Sequence, residues 1–139
     1  MFSWAVEHEL MRSNPAREVR TIKYASEGFP TWTVAEVRQY EERHPIGTKA
    51  RLALALLLYL GVRRGDVVRI GRQHEKEGWL RFVPAKTRYR RHRMSEKPIL
   101  PVLADIIARG PTGNMTYLIT ADGKPFTAAG FGLVPRPVQ

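Results

Sequence analysis

The chain of 139 residues contains no cysteine. That removes disulfides and thiolate metal sites and fits the reducing cytoplasm. Its four histidines, His8, His44, His74 and His92, are scattered, and no two stand at the spacing of a zinc-binding pair. Acidic residues are few: 13 Asp and Glu stand against 23 Lys and Arg, a formal net charge of +10. A surplus of that size exceeds what solubility asks of a small domain and points to a polyanionic partner, nucleic acid or an anionic membrane surface. Long apolar runs are also lacking. The longest, LALALLLYLGV at 52–62, is too short to span a bilayer. The opening MFSWAVEHELMR does not have the charged region followed by an apolar core of a signal peptide. These absences set the membrane aside and leave nucleic acid as the expected polyanion. Internal repeats and low-complexity tracts are absent too.

What is present suffices for one ordinary domain, with 43% hydrophobic residues to build a core. Over residues 1–12, Phe2, Trp4, Ala5 and Leu10 lie among charges and read as the tail of an amphipathic helix, broken at the residue before Pro15. Residues 15–31 read as a linker punctuated by Gly28 and Pro30. Thr33 and Glu36 form a capping box that opens a helix, and PIG at 45–47 closes it. Thr48 caps the next helix, whose residues 52–60 carry no charged or amide side chain and so read as buried on every side. Gly61 ends that helix. A short one follows from Gly65 with Asp66 in its first turn, where a carboxylate suits the helix dipole.

Further on, GWLRFVPAK (78–86) alternates apolar and polar residues as a strand does, and RYRRHRMSEKPIL (88–100) pairs back with it as a hairpin. PVLADIIARG is a helix opened by Pro101 and closed by Gly110. MTYLIT (115–120) reads as a short strand, ADGK as a turn and TAAGF as a helix start. The expected fold class is α+β: a mainly helical domain with a small antiparallel β-sheet.

Two features invite chemistry. Arg63 and Arg64 stand side by side where the apolar helix stops. By spacing alone Arg63 reads as a helix-end arginine paired with Asp66 three residues on, a surface pair of little weight. Between 81 and 93, Arg81, Lys86, Arg88, Arg90, Arg91 and Arg93 supply six positive charges and no negative one. Such runs are most often solvated. On a two-stranded ribbon, however, alternate residues share a face, and that face can track a phosphate backbone.

The order of the pieces adds to this. A buried helix runs into Leu60-Gly61-Val62-Arg63-Arg64-Gly65-Asp66, a basic hairpin carries Lys86-Thr87, and a Pro-Leu segment leads into a helix over 98–108. This resembles the catalytic domain of the tyrosine recombinases, the phage-integrase family. The resemblance implies a metal-free and nucleotide-free enzyme that breaks and rejoins double-stranded DNA, acting with other recombinase protomers. In such an enzyme a tyrosine attacks the phosphodiester. Arginines hold the nonbridging oxygens, and a lysine protonates the leaving oxygen. Carried onto this sequence, Arg63 is the first arginine, Lys86 the general acid, and Asp66 a residue that orients Arg63 or its helix. Arg81, Thr87, Arg88, Arg90, Arg91 and Arg93 are the expected DNA contacts.

The resemblance divides the chain into 1–31, the last helix of a core-binding domain plus linker, and 32–139, the catalytic domain lacking its C-terminal part. After Gly132 the family continues to a His-x-x-Arg motif and then the nucleophilic tyrosine. Tyr24, Tyr40, Tyr59, Tyr89 and Tyr117 do not lie in that context. The expectation is therefore a recombinase fragment that binds DNA without cutting it. Two other readings stay open: a small DNA-binding regulator on the integrase scaffold, and a basic RNA-binding protein stacking bases on Trp79, Phe82 and Tyr89.

Overall fold

The computed structural model describes residues 1–17, 19, 28, 30–87 and 93–133. The chain forms two compact units, Met1–Trp32 and Thr33–Gln139. In the first, helix α1 spans Phe2–Glu7 only, shorter than the amphipathic pattern through residue 12 suggests. Glu9 takes a left-handed φ of 56°. The chain then folds back, so that the N–H groups of Leu10 and Met11 both donate to the Ala5 carbonyl, at 2.8 and 3.2 Å. A single 3₁₀ turn, Pro15–Arg17, follows. Its start is held by Asn14, whose Oδ1 accepts the Ala16 N–H at 3.0 Å. Most of the expected linker lies outside the described residues.

Among the described residues the second unit holds four α-helices and a three-stranded antiparallel sheet, so the α+β expectation is met. Helix α2, Val34–Arg43, starts as its capping box dictates. The Glu36 N–H donates to Thr33 Oγ1 at 3.3 Å, and the Thr33 N–H donates back to Glu36 Oε2 at 2.6 Å. Helix α3, Lys49–Leu60, has Thr48 as its N-cap and ends at Gly61, which adopts φ 57° and ψ 34°. That left-handed conformation is the one glycine enters at no steric cost. The Arg51–Glu41 ion pair, 3.0 Å, ties α3 to α2.

Leu52, Ala55, Leu56 and Leu60 of α3 form the centre of the core. Helix α5, Pro101–Arg109, covers them with Leu103, Ile106 and Ile107. Gly110 closes α5 with an extended backbone, so its lack of a side chain answers a packing demand. A Cβ there would stand 2.9 Å from the Ile106 carbonyl and 3.1 Å from a Leu52 methyl. One expectation for α3 fails: Leu58 is 50% exposed. The neighbouring elements pack on one side of α3, and the apolar run continues past what they cover.

The sheet is ordered β1-β2-β3, with β1 at Glu75–Lys76, β2 at Trp79–Phe82 and β3 at Ser95–Pro98. The expected hairpin is β2 paired with β3. Strand β1 is an addition, too short to leave an alternation in the sequence. The MTYLIT segment is not a strand. It contributes one isolated bridge, Ile119 with Pro125, while the Tyr117 N–H donates to the Ile70 carbonyl at 2.9 Å. Its apolar residues are there for burial: Tyr117 and Leu118 are in the core. Gly71 permits this close approach, because a Cβ at that position would collide with the backbone of Met115 and Thr116. The expected helix at TAAGF is a 3₁₀ turn, Gly130–Leu133.

Candidate nucleic-acid interface

Arg63 is the N-cap of a single-turn helix α4, Arg64–Val67. The left-handed turn at Gly61 reverses the chain out of the buried α3, and Val67 and Val68 anchor α4 in the core. Arg63 is thereby fixed at the mouth of a cleft of about 400 Å³ lined by Val62, Arg63, Asp66, Phe82, Pro84, Ser95 and Lys97, with Gly61 at its edge. The cleft joins α4 to the hairpin. Asp66 and Phe82 also line a second cleft of about 450 Å³ with Arg69, Gln73 and His74.

Asp66 is nearly fully buried, and its carboxylate is not paired with Arg63. It accepts the backbone N–H of Ala85 at 2.8 Å. The Arg63–Asp66 pair that spacing alone suggests is thus not among the ion pairs of the described residues. The reason is geometric: the cap position points Arg63 outward, whereas the third residue of the turn points inward, toward the loop that leaves β2. What Asp66 holds is the 3₁₀ turn Ala85–Thr87 that carries Lys86. The turn is braced at its other end by Thr87, whose N–H and hydroxyl both donate to the Pro84 carbonyl, at 3.1 and 3.2 Å. Lys86 itself is exposed between these two fixed residues, and its neighbour Pro84 lines the cleft.

The register of the hairpin sorts the remaining basic residues. Leu80 faces Lys97 and Phe82 faces Ser95, while Trp79 faces Pro98 and Arg81 faces Glu96. Because side chains alternate across a strand, Lys97 and Ser95 share the inner face with the buried Leu80 and Phe82. Arg81 stands on the outer face, where its Nε lies 3.0 Å from Glu96 Oε1. The structure therefore separates Arg81 from the Arg63 cleft. Arg93 is exposed just before β3. Arg88, Arg90 and Arg91 lie outside the described residues. Thr87 spends its hydroxyl on Pro84. Of the three aromatics a base-stacking surface needs, Phe82 is buried, Trp79 is exposed on the outer face and Tyr89 lies outside the described residues.

Arg64 differs from its neighbour. Its guanidinium fills the space where a side chain on Gly132 would begin. The segment around it packs on α4 as well: Ala128 lies against Gly65, and Phe126 meets Phe131 edge to face at 5.7 Å.

Among the described residues, no tyrosine lines the Arg63 cleft. Tyr117 is fully buried and donates its hydroxyl hydrogen bond to Glu75, and burial followed by that bond pushes its phenol well above the ordinary tyrosine range. Tyr59 packs against the core. Sequence reasoning missed Lys97. The signal for it was the register of the hairpin, since a lysine two residues from Ser95 on a short strand gives no sign of which face it takes until the pairing is known.

No protein-family model and no curated protein matches the sequence. Solved structures do match the fold. A lambda integrase tetramer bound to a Holliday junction has a TM-score of 0.72 at 19% identity, over 94% of this chain and 40% of that one. A lambda integrase(75-356) dimer bound to a COC′ core site has 0.71 at 18%, over 94% and 50%. A lambda integrase dimer bound to a COC′ core site has 0.69 at 19%, over 94% and 39%. This chain spans half or less of each of those chains, and over that span its fold is the fold of lambda integrase.

Proposed function

We propose that these residues belong to a site-specific tyrosine recombinase of the integrase type and that they bind double-stranded DNA through the Arg63 cleft and the basic hairpin beside it. The observation that carries this reading is the joining of Arg63 to the Lys86 turn by way of Asp66. One buried carboxylate, three residues after Arg63, fixes the backbone next to Lys86, so the two candidate phosphate-handling groups are positioned by the same short helix. The matched fold supports it, and so does the net charge of +10. In this reading Arg63 grips a nonbridging phosphate oxygen, for which its planar fork is suited. Lys86, exposed on the turn that follows Pro84, gives a proton to a leaving oxygen. Arg93 and the hairpin arginines supply nonspecific affinity through counterion release. In this reading residues 1–31 are the end of a core-binding domain with its linker, and residues 32–139 are catalytic-domain scaffold. Further protomers are the expected protein partners.

Cleavage is a separate matter. Among the described residues no tyrosine lines the cleft, and no His-x-x-Arg follows the hairpin in these residues. Groups of such a site act as a unit, so loss of one member removes most of the rate. We infer that the 139-residue chain binds duplex DNA and forms no covalent adduct with it. Incubation with a nicked suicide substrate, followed by denaturing electrophoresis, tests this together with a native mobility shift. The expected result is a shifted complex and no adduct. A covalent adduct overturns the inactivity, and absence of any shift at low salt overturns the functional reading.

A further inference from the structure

Lys97 occupies an unusual place. It lies on the inner face of the hairpin, opposite Leu80, which is fully buried, and its neighbour on that face of β3 is Ser95, opposite the buried Phe82. Core-facing positions of a half-buried sheet are ordinarily apolar, and Lys97 is partly buried at this one. Among the described residues the ion pairs are Arg51–Glu41, Arg81–Glu96 and Arg109–Asp105, and Lys97 is in none of them. The acid that shares its cleft, Asp66, is already engaged by the Ala85 N–H. The other cation of the cleft is Arg63, also outside any of those pairs. A cleft of about 400 Å³ with two cations, one hydroxyl and one committed carboxylate is short of an anion.

We propose that Lys97 is a phosphate-binding residue that acts with Arg63 on a single phosphodiester group of duplex DNA. This rests on the reading of the Arg63 cleft given above and adds to it a residue from the opposite wall. The two cations come from separate elements, the cap of α4 and the third residue of β3, so together they grip a tetrahedral anion from two sides. Arg63 provides the planar fork, Lys97 a point charge on a flexible stem, and Ser95 a hydroxyl donor within the same cleft. The inner-face position explains why a lysine serves here: its stem lies along the apolar wall of Leu80 and Phe82 while its ammonium reaches the opening.

The test uses the whole chain and a short duplex DNA, with binding followed by fluorescence anisotropy across a salt series, and thermal unfolding measured in parallel. Lys97→Met keeps the stem and removes the charge. It should weaken binding several-fold at low salt and lower the slope of log K against log salt by about one, while leaving the melting temperature unchanged or raised. Lys97→Arg should restore most of the affinity. Combining Lys97→Met with Arg63→Ala should weaken binding by less than the product of the two single effects, because both act on one phosphate. A wild type that binds DNA and loses affinity with Arg63→Ala but not with Lys97→Met overturns the assignment of Lys97 and leaves the functional reading standing. Multiplicative single effects overturn the shared phosphate. A wild type that does not bind duplex DNA at all sinks both.

Discussion

Asp66 and Ala85 are 19 residues apart in sequence, yet the carboxylate of one accepts the backbone N–H of the other at 2.8 Å. This bond couples the helix that starts at Arg63 to the turn that carries Lys86. Asp66→Ala leaves that N–H without its charged acceptor and is expected to cost about 1–3 kcal/mol of unfolding free energy. Asp66→Asn keeps an oxygen at the same place and should cost less. Urea denaturation of the two variants checks this, and equal losses would mean that the bond contributes nothing beyond packing.

Gly71 carries the closest backbone approach in the core region, against Met115 and Thr116. Its φ of −164° is ordinary extended backbone, so alanine there suffers from collision and not from backbone strain. Gly71→Ala should destabilise by about 3 kcal/mol or more, in the upper range of single substitutions, because the segment bearing Tyr117 must move away from Ile70. Near-neutral stability in thermal unfolding would show that the 115–117 segment yields freely.

Leu56 and Leu58 are two residues apart on α3 and differ completely in surroundings, one fully buried and the other half exposed. Leu56→Ala should cost about 2–5 kcal/mol. Leu58→Gln should change stability by no more than about 0.5 kcal/mol while reducing self-association of the chain, since an exposed leucine on an apolar helix favours sticking. Light scattering alongside unfolding separates the two effects. A large stability loss from Leu58→Gln would place that side chain against a partner surface.

The capping box at the start of α2 makes a pH-dependent contribution. The Thr33 N–H, and then its hydroxyl, donate to the Glu36 carboxylate and hold it below the usual carboxylate range. A carboxylate with a lowered folded pKa stabilises above its unfolded value of about 4.3 and loses that contribution as pH falls through the lowered value. The difference in melting temperature between wild type and Glu36→Gln should therefore be present at neutral pH and shrink on acidification. A constant difference across that range would assign the effect to shape alone.

Much of the fold was legible because it rests on local chemistry. The Thr33 cap follows from a side chain that satisfies its own backbone neighbour, the turn at 61 from a glycine that enters the left-handed region freely, and the β2–β3 hairpin from the alternation along 79–82. The misses share a cause. MTYLIT has the β-branched and aromatic composition of a short strand, but that composition also suits a buried irregular segment, and among the described residues it makes a single isolated bridge. The run at 52–60 reads as buried all round, yet burial of Leu58 depends on what packs against α3. At the site, the position of Arg63 was readable from its place after Gly61. The partner of Asp66 and the facing of Lys97 were not, because both depend on a register between segments far apart in sequence.

The affinities of Arg63→Ala and Arg64→Ala for duplex DNA, measured side by side at one low salt concentration, test most directly whether the cleft beside Arg63 is where phosphate binds. Arg63 lines that cleft, while the guanidinium of Arg64 is turned to Gly132. Loss of a charge-assisted phosphate contact of about 1.5–3 kcal/mol should weaken Arg63→Ala roughly tenfold or more, with Arg64→Ala staying within about twofold of wild type. Equal losses in the two variants, or a greater loss for Arg64→Ala, would contradict the assignment.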